Sequence, residues 1–453
     1  MDLSGKKILV IGAGISGFAA AKIAKKLGAA VVLSDAKAEK DIACDFSELR
    51  KLGIALAFGP QSESLLDDVD MLLVSPAVPV KIPIVQAAYK RQIRVLSEVE
   101  LAYELAQSPI CAVTGTNGKT TTVTLLGLLL KTSFNPVGVG GNIGVPLAEE
   151  ALRVGKGGFI AAEISSYQME ATNDFHPKVA AVLNVTPDHI VRHGSMEVYQ
   201  KMKEKLFAQQ TAADFLVLNY DDPITRDMKA RAAATVCYFS RQADLAEGAI
   251  VKDNRLLIRW QGKEYPLCLV NELGIKGSHN VENALAAAAS AFLAGCEPEA
   301  MIKVLKEFKG VEHRIEYVRT LDGVAYYNDS KATNTDSAIK ALDTFADGIV
   351  LLAGGRDKMT DLTDFMQLAK VRVTDMILLG EAAERFEKEA LANGIAPAHI
   401  HRAGFSMEKA VKMAHDLAKK PEVVLLSPAC ASFDMYNGMA ERGRDFKRLV
   451  NNL

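Results

Sequence analysis

Residues 112–121 read Ala112-Val113-Thr114-Gly115-Thr116-Asn117-Gly118-Lys119-Thr120-Thr121, a short apolar run that breaks into a glycine loop and leads into an apolar helical stretch over residues 123–130. Two glycines, an amine and several hydroxyls at the start of a helix are the parts of a phosphate cradle. Gly115 and Gly118 let the backbone N–H groups around Thr116 and Asn117 turn inward, and Lys119 can reach the β- and γ-phosphates. Thr120 or Thr121 can offer a hydroxyl to Mg2+ at the positive end of the helix. The usual pattern has a further glycine where this chain has Val113, so the loop is a compact variant. An ordinary glycine turn is the competing reading, and the Gly-Lys-Thr-Thr ending between strand and helix weighs against it. ATP is the expected ligand.

Other residues with chemical potential sit at the ends of apolar runs. Glu163 closes residues 158–162 and precedes Ser165-Ser166-Tyr167-Gln168, and His189 follows a second run through residues 182–188. A carboxylate at the C-terminal edge of a parallel sheet is where Mg2+ meets an ATP phosphate. Two such groups on neighbouring strand ends favour metal ligation over plain polar termini. Tyr199, Lys203 and Phe207 share one helical face; residue types alone leave Lys201, Lys203 and Lys205 as a solvated basic face. Asn280 and Asn283, in Gly277-Ser-His-Asn-Val-Glu-Asn, carry the donor and acceptor pair that reads a purine edge, or they cap a helix. Gly12-Ala13-Gly14-Ile15-Ser16-Gly17 with Asp35 fits any nucleotide diphosphate, NAD included, or glycines that let a helix pack on a strand. Arg314 and Lys331 suit anion clamping, and residues 354–358 and 427–434 each follow a strand, where ligand loops cluster.

The elements that must position these groups alternate strand and helix. Strands over residues 8–11, 31–34 and 71–75, separated by helical patterns, predict a parallel sheet in residues 1–106. A second α/β region with a P-loop ATPase-like parallel sheet is expected over residues 107–309, with a β-rich insert near residues 251–270. A third, with strands over 348–353, 376–379 and 423–426, fills residues 310–453. The 453 residues hold about three domains at roughly 150 residues each. A formal charge of −2 gives no general electrostatic case for nucleic acid or an anionic membrane surface. The six cysteines are scattered, which disfavours a disulfide framework and points to a reducing compartment. The longest largely apolar run, residues 284–294, is too short to span a bilayer, and residue 6 leads straight into a strand pattern, so a cytoplasmic monomer without a signal peptide is expected.

In collinear order over essentially the whole chain, these segments resemble the Mur ligase family of ATP-dependent amino-acid-adding enzymes. The phosphate loop and the Gly-x-His-Asn-x-x-Asn helix are family-wide signals. Asn328-Asp-Ser-Lys-Ala-Thr-Asn334, Leu426-Ser-Pro-Ala-Cys-Ala-Ser-Phe-Asp434 and the N-terminal Gly-x-Gly-x-Ser-Gly are similar to its D-glutamate-adding branch. The resemblance implies an N-terminal Rossmann-like domain for a uridine nucleotide, a central ATP domain and a C-terminal Rossmann-like amino-acid domain. It implies UDP-N-acetylmuramoyl-L-alanine and D-glutamate as substrates, with ATP and two Mg2+ ions. Lys119 and Thr120 would hold phosphates and the first Mg2+, together with Glu163; His189 would bind the second. Asn280 and Asn283 would meet the adenine, while Arg314, Asp329 and Lys331 close the third region over the nucleotide. Thr333, Lys358, Ser432 and Phe433 would surround D-glutamate. Ile15, Ser16, Asp35 and Lys37 would face the uridine diphosphate, and Asn142, Ser165, Ser166 and Gln168 the muramoyl part. Lys203 matches a lysine that is carbamylated in the family.

Two departures from the family pattern stand out. Val191 replaces an aspartate before Arg192, and Ser75-Pro76-Ala77 replaces a Ser-Pro-Gly turn, which removes a glycine's left-handed freedom. Three rival readings remain: a sister ligase adding another residue, a nicotinamide-dependent oxidoreductase built on Gly12–Gly17, and a non-catalytic nucleotide switch.

Overall fold

The computed structural model describes every residue except Met1, Ala43 and Ala346. Its strands form three sheets. The first holds β1 (Lys7–Ile11), β2 (Ala30–Asp35), β3 (Ala55–Phe58), β4 (Met71–Val74) and β5 (Arg94–Ser97) in the order β3-β2-β1-β4-β5, all parallel. This is the strand order of a mononucleotide-binding half, with its crevice at the β1/β4 reversal. Because helices cover both faces, β1 and β4 are apolar on both sides, which is why they read as unbroken runs.

The second sheet comprises β6 (Ile110–Thr114), β7 (Val137–Gly141), β8 (Phe159–Glu163), β9 (Val179–Val182), β10 (Phe215–Asn219), β11 (Thr235–Ser240), β12 (Gly248–Lys252), β13 (Arg255–Trp260) and β14 (Lys263–Leu269). Its order is β14-β13-β12-β11-β10-β9-β6-β8-β7. The strands through β12 are parallel, while β13 and β14 continue the sheet antiparallel through tight turns. The β-rich stretch expected near residues 251–270 is therefore an extension of the central sheet, which is mixed and not wholly parallel. The buried helix Lys119–Leu130, apolar nearly all round, packs against β7 and β8.

The third sheet has β15 (Glu316–Leu321), β16 (Val324–Asn328), β17 (Ile349–Gly354), β18 (Val373–Leu379), β19 (Ile400–Gly404) and β20 (Val423–Leu426) in the order β15-β16-β20-β17-β18-β19, parallel except for the edge strand β15. Separate apolar clusters cover its two faces.

The chain divides into two compact units, Met1–Leu273 with Val281–Glu307, and Gly274–Asn280 with Phe308–Leu453. The first two sheets fall in one unit because a continuous buried cluster runs from Val10 and Leu33 through Leu101 and Leu147 to Ile160 and Leu216. Polar contacts reinforce this join. Glu98 accepts from the Ala148 N–H at 2.7 Å, and Glu100 accepts from the N–H groups of Asn173 and Asp174 at 2.8 and 2.7 Å. No helix among the described residues is long and apolar enough to cross a membrane.

Glu98 is buried with one carboxylate oxygen unpartnered, and burial pushes its carboxyl up to about 7. A folded-state value above the unfolded one means that the fold binds a proton which the open chain releases, so the associated stability declines as pH rises from about 4.5 to about 7. Glu98→Gln should abolish this slope. Relative to wild type it should gain on the order of 2 kcal/mol between pH 5 and pH 8 in urea unfolding; parallel curves would refute the assignment.

Candidate functional site

The C-terminal edges of three adjacent strands, β8, β6 and β9, bring the first set of groups together. Val113 on β6 is paired in register with Glu163 on β8, and Thr114 with Val182 on β9. The phosphate loop leaves β6 and enters the helix at Lys119, with Gly115 at φ +156° and Gly118 at φ +84°. A Cβ on Gly118 would stand 2.3 Å from Asn283 Oδ1, so the left-handed turn and the close approach both demand glycine. Asn184, just beyond β9, accepts from the Asn117 N–H at 2.8 Å and donates back to its carbonyl at 3.2 Å. Thr116 Oγ1 is held by the Thr186 carbonyl and the Tyr199 hydroxyl, each at 3.1 Å. Lys119 Nζ donates to the Gly115 and Thr116 carbonyls, both at 2.8 Å, which keeps the cation over the loop.

Glu163 is 1% exposed. Its Oε1 accepts from Asn142 Nδ2 at 2.8 Å, while Oε2 is buried and has no hydrogen-bond partner. A buried carboxylate oxygen left bare is costly unless a cation meets it. The bare carboxylate oxygen of Glu163 is a donor of the kind that a hard ion such as Mg2+ takes. His189, in the left-handed region at φ 55°, has Nδ1 2.9 Å from the Tyr167 hydroxyl and Nε2 3.5 Å from Asp188.

Lys203 contradicts the solvated-face expectation. It is 1% exposed, its Nζ lies 4.4 Å over the Tyr199 ring, and no carboxylate pairs with it among the described residues. Burial, joined by the charge of Lys119, holds its amine well below the usual lysine range. Tyr199 and Phe207 are buried beside it, as the shared helical face requires.

At the first sheet, Asp35 Oδ2 accepts from the Ala13 N–H and Oδ1 from the Lys37 N–H, both at 2.9 Å, which fixes the glycine turn. Ile15 stands largely exposed above it. A Cβ on Gly17 would stand 1.8 Å from the Gly12 carbonyl, so the packing role of these glycines is also real. Ser165 donates to Gln168 Oε1, and Ser166 Oγ lies 3.0 Å from His193 Nε2. Asn283 Oδ1 accepts from Thr122 at 3.3 Å.

The second unit has its own cluster. Asp329 is buried, accepting from the Ile315 N–H at 3.2 Å and from Ser427 Oγ at 2.9 Å. Burial outweighs the Arg314 charge and pushes its carboxyl up to about 6. Arg442 spans Ser330 and the carbonyls of Cys430 and Ala431, and so locks the loop after β20 onto the turn after β16. That loop carries buried Ser432 and exposed Phe433. The exposed Lys358 follows Asp357, which Arg385 grips bidentately at 2.7 and 2.8 Å. Thr333 and Lys331 are half-buried, and the Asn280 amide donates to the Lys276 carbonyl at 2.7 Å.

Sequence reasoning missed Asn184, Tyr167, Arg192 and Arg442. For Asn184 a signal existed, since a carboxamide at the edge of a strand adjacent to a phosphate loop is well placed to brace it. The other three act across separations that no local pattern encodes.

A parallel sheet edge carrying a phosphate loop and a half-bare carboxylate, with a buried amine of lowered basicity on a neighbouring helix, defines a nucleotide-dependent enzyme, and family models cover the chain in three pieces. They are the Mur ligase MurD-like N-terminal domain over residues 6–97, the Mur ligase middle domain over 113–291 and the Mur ligase glutamate ligase domain over 313–430. The chain belongs to the Mur ligase family, whose members are ATP-dependent, Mg2+-requiring ligases. In particular it is similar to the UDP-N-acetylmuramoylalanine--D-glutamate ligase of Thermoanaerobacter pseudethanolicus, 43% identical over the full length of both chains. The enzyme of the same name from Pelotomaculum thermopropionicum is 44% identical, covering 100% of this chain and 99% of its own. Among solved structures, a UDP-N-acetylmuramate-alanine ligase from Thermotoga maritima shares the fold at TM-score 0.59 and 20% identity, covering 98% of this chain and 99% of its own.

Gly118→Ala combines left-handed strain with a clash, whereas Gly144→Ala, at φ +60°, meets nothing within 4 Å. Strain of this kind costs roughly 1–3 kcal/mol, so Gly118→Ala should lose clearly more unfolding free energy than Gly144→Ala. Equal losses in urea titrations would argue against the tight loop geometry.

Proposed function

We propose that this chain joins D-glutamate to UDP-N-acetylmuramoyl-L-alanine at the expense of ATP, a step in building peptidoglycan precursors. The observation that carries the reading is the phosphate loop with Lys119 after β6, in register with half-bare Glu163 at the end of β8, and the desolvated amine of Lys203 within electrostatic reach of Lys119; full-length similarity to D-glutamate ligases supports the choice of amino acid. Residues 1–106 would take the uridine nucleotide, 107–309 ATP and 310–453 the amino acid.

A free carboxylate resists amide formation because oxide is a poor leaving group. In this reading the alanyl carboxylate attacks the γ-phosphorus of ATP, giving an acyl phosphate and ADP. The amine of D-glutamate then attacks the acyl carbon and expels phosphate, losing a proton. Lys119 neutralises charge spreading over the phosphoryl oxygens. Mg2+, held by Thr120 and Glu163 at one site and by His189 at a second, supplies further charge neutralisation when bound. Lys203, its basicity lowered by burial, more readily offers the lone pair needed to attack carbon dioxide; loss of one proton would leave a carbamate, an anionic oxygen donor at the second site. Asn280, Asn283, Arg314, Asp329 and Lys331 bind the nucleotide. Thr333, Lys358, Ser432 and Phe433 bind D-glutamate, with Lys358 pairing a carboxylate. Ile15, Ser16, Asp35 and Lys37 hold the uridine diphosphate, and Asn142, Ser165, Ser166 and Gln168 the muramoyl group.

ADP release should require UDP-N-acetylmuramoyl-L-alanine and D-glutamate together, with L-glutamate failing to substitute. Turnover with a different amino acid would move the chain to a sister ligase. Lys119→Ala should abolish ADP release with an unchanged circular dichroism spectrum. Lys203→Ala should lose roughly 10–100-fold, as removal of groups around a metal typically does, and short carboxylic acids should restore part of it. Full activity in Lys203→Ala would take this lysine out of the mechanism.

A further inference from the structure

We propose that Arg192 is a positioning residue that ties the turn beside the uridine diphosphate site to the imidazole of His189, so that one guanidinium sets both. The inference rests on the ligase reading above and concerns a residue to which that reading gives no part. Arg192 lies in the single helical turn Ile190–His193 directly after His189. Its Nε and Nη2 donate to the two oxygens of Glu170, each at 2.8 Å, and both side chains are largely buried. The same guanidinium also donates to three successive carbonyls of the first sheet's loop after β4. Nη2 reaches Pro76 at 3.3 Å and Val78 at 2.9 Å, and Nη1 reaches Ala77 at 3.3 Å. That loop is pressed onto the glycine turn, for a Cβ on Gly12 would stand 2.7 Å from Ser75 Cβ and 2.8 Å from Val78 Cγ2.

On its other side the guanidinium carbon lies 4.8 Å over the Tyr167 ring, whose hydroxyl is 2.9 Å from His189 Nδ1. The far nitrogen, Nε2, lies 3.5 Å from Asp188, and the Tyr167 contact fixes which ring nitrogen faces that side. A metal-binding histidine is oriented by what its other ring nitrogen bonds, and Tyr167 is in turn held flat by a cation that also holds the 76–78 carbonyls. Lysine cannot reproduce this fork, since it offers a point charge without planar, multiply directed donors.

The test uses full-length Arg192→Lys, Tyr167→Phe and the double variant, with two readouts. The first is calorimetric binding of UDP-N-acetylmuramoyl-L-alanine without Mg2+ or ATP; the second is the Mg2+ concentration giving half-maximal ADP release. Arg192→Lys should weaken substrate binding and raise the Mg2+ requirement, each by about 10-fold or more. Tyr167→Phe, which keeps the ring and removes the hydroxyl, should raise only the Mg2+ requirement. In that readout the double variant should resemble Arg192→Lys, because residues on one chain of contacts do not add. A shift in melting temperature alone, or multiplicative effects on the Mg2+ requirement, would reduce Arg192 to a structural staple and overturn the inference. An inactive wild type would remove the ligase reading and the inference with it, whereas an active wild type beside unaffected variants removes the inference alone.

Discussion

Charge held out of water at the edge of the central sheet is the constraint on which the rest of this structure turns. Glu163 keeps one oxygen bare in a buried position, Lys203 forms no ion pair with a carboxylate among the described residues, and Lys119 lies close enough to lower its basicity further. A buried carboxylate and a buried amine would each cost several kcal/mol if permanently uncompensated, whereas Lys119 is half-buried and donates to two loop carbonyls. Glu163 ends a strand, while Lys119 and Lys203 sit on two different helices, so regular elements hold all three in place. In the proposed reading, anionic phosphate would answer Lys119, a hard cation would answer Glu163, and carbamate formation would turn a disfavoured amine into an anion.

The scaffold meets this demand through parallel strands. In register, β8, β6 and β9 end together, so groups placed just after each strand converge without long loops. The phosphate loop is then braced from its neighbour by Asn184 and from the helix Met196–Glu204 by Tyr199, through Thr116. The second unit uses the same logic at β16, β17 and β20, but the agent of rigidity differs. There a buried arginine, Arg442, satisfies backbone carbonyls of two loops at once. Burial lowers the basicity of that guanidinium, to about 10, yet its hydrogen bonds keep the loops in place.

Much of this was legible in the chain. Strands β1, β2, β4, β17, β18 and β20 announce themselves as apolar runs because both faces of a parallel sheet are covered, and the Gly-Lys-Thr-Thr ending marks the glycine turn at which β6 gives way to the helix Lys119–Leu130. Helical spacing put Lys203 on a face with Tyr199 and Phe207, but periodicity reveals a shared face, not whether something covers it. Composition therefore read the lysine as solvated, and only packing shows it buried. The antiparallel continuation by β13 and β14 was legible as strands and not as part of the central sheet, since edge pairing is decided by neighbours distant in sequence. Arg192 was invisible for the same reason, with carbonyl partners 114 to 116 residues away.

The two departures from the family pattern illustrate how a local rule yields to its surroundings. Ala77 stands where a glycine is expected, yet it is not among the residues with positive φ. The turn takes an ordinary backbone there, and its carbonyl is held by Arg192. Left-handed freedom is thus not what this turn requires; three oriented carbonyls are, and a fixed donor fork supplies them regardless of the side chain at position 77. Val191 is fully exposed, so the side chain that replaces an aspartate points away from the contacts around His189. The polar work in that segment falls to the next residue, whose guanidinium is pinned by Glu170. A substitution that looks like the loss of a polar group in a motif is therefore neutral to the geometry behind it. What this segment must preserve is the direction of Arg192, which the helical turn after His189 fixes through the backbone.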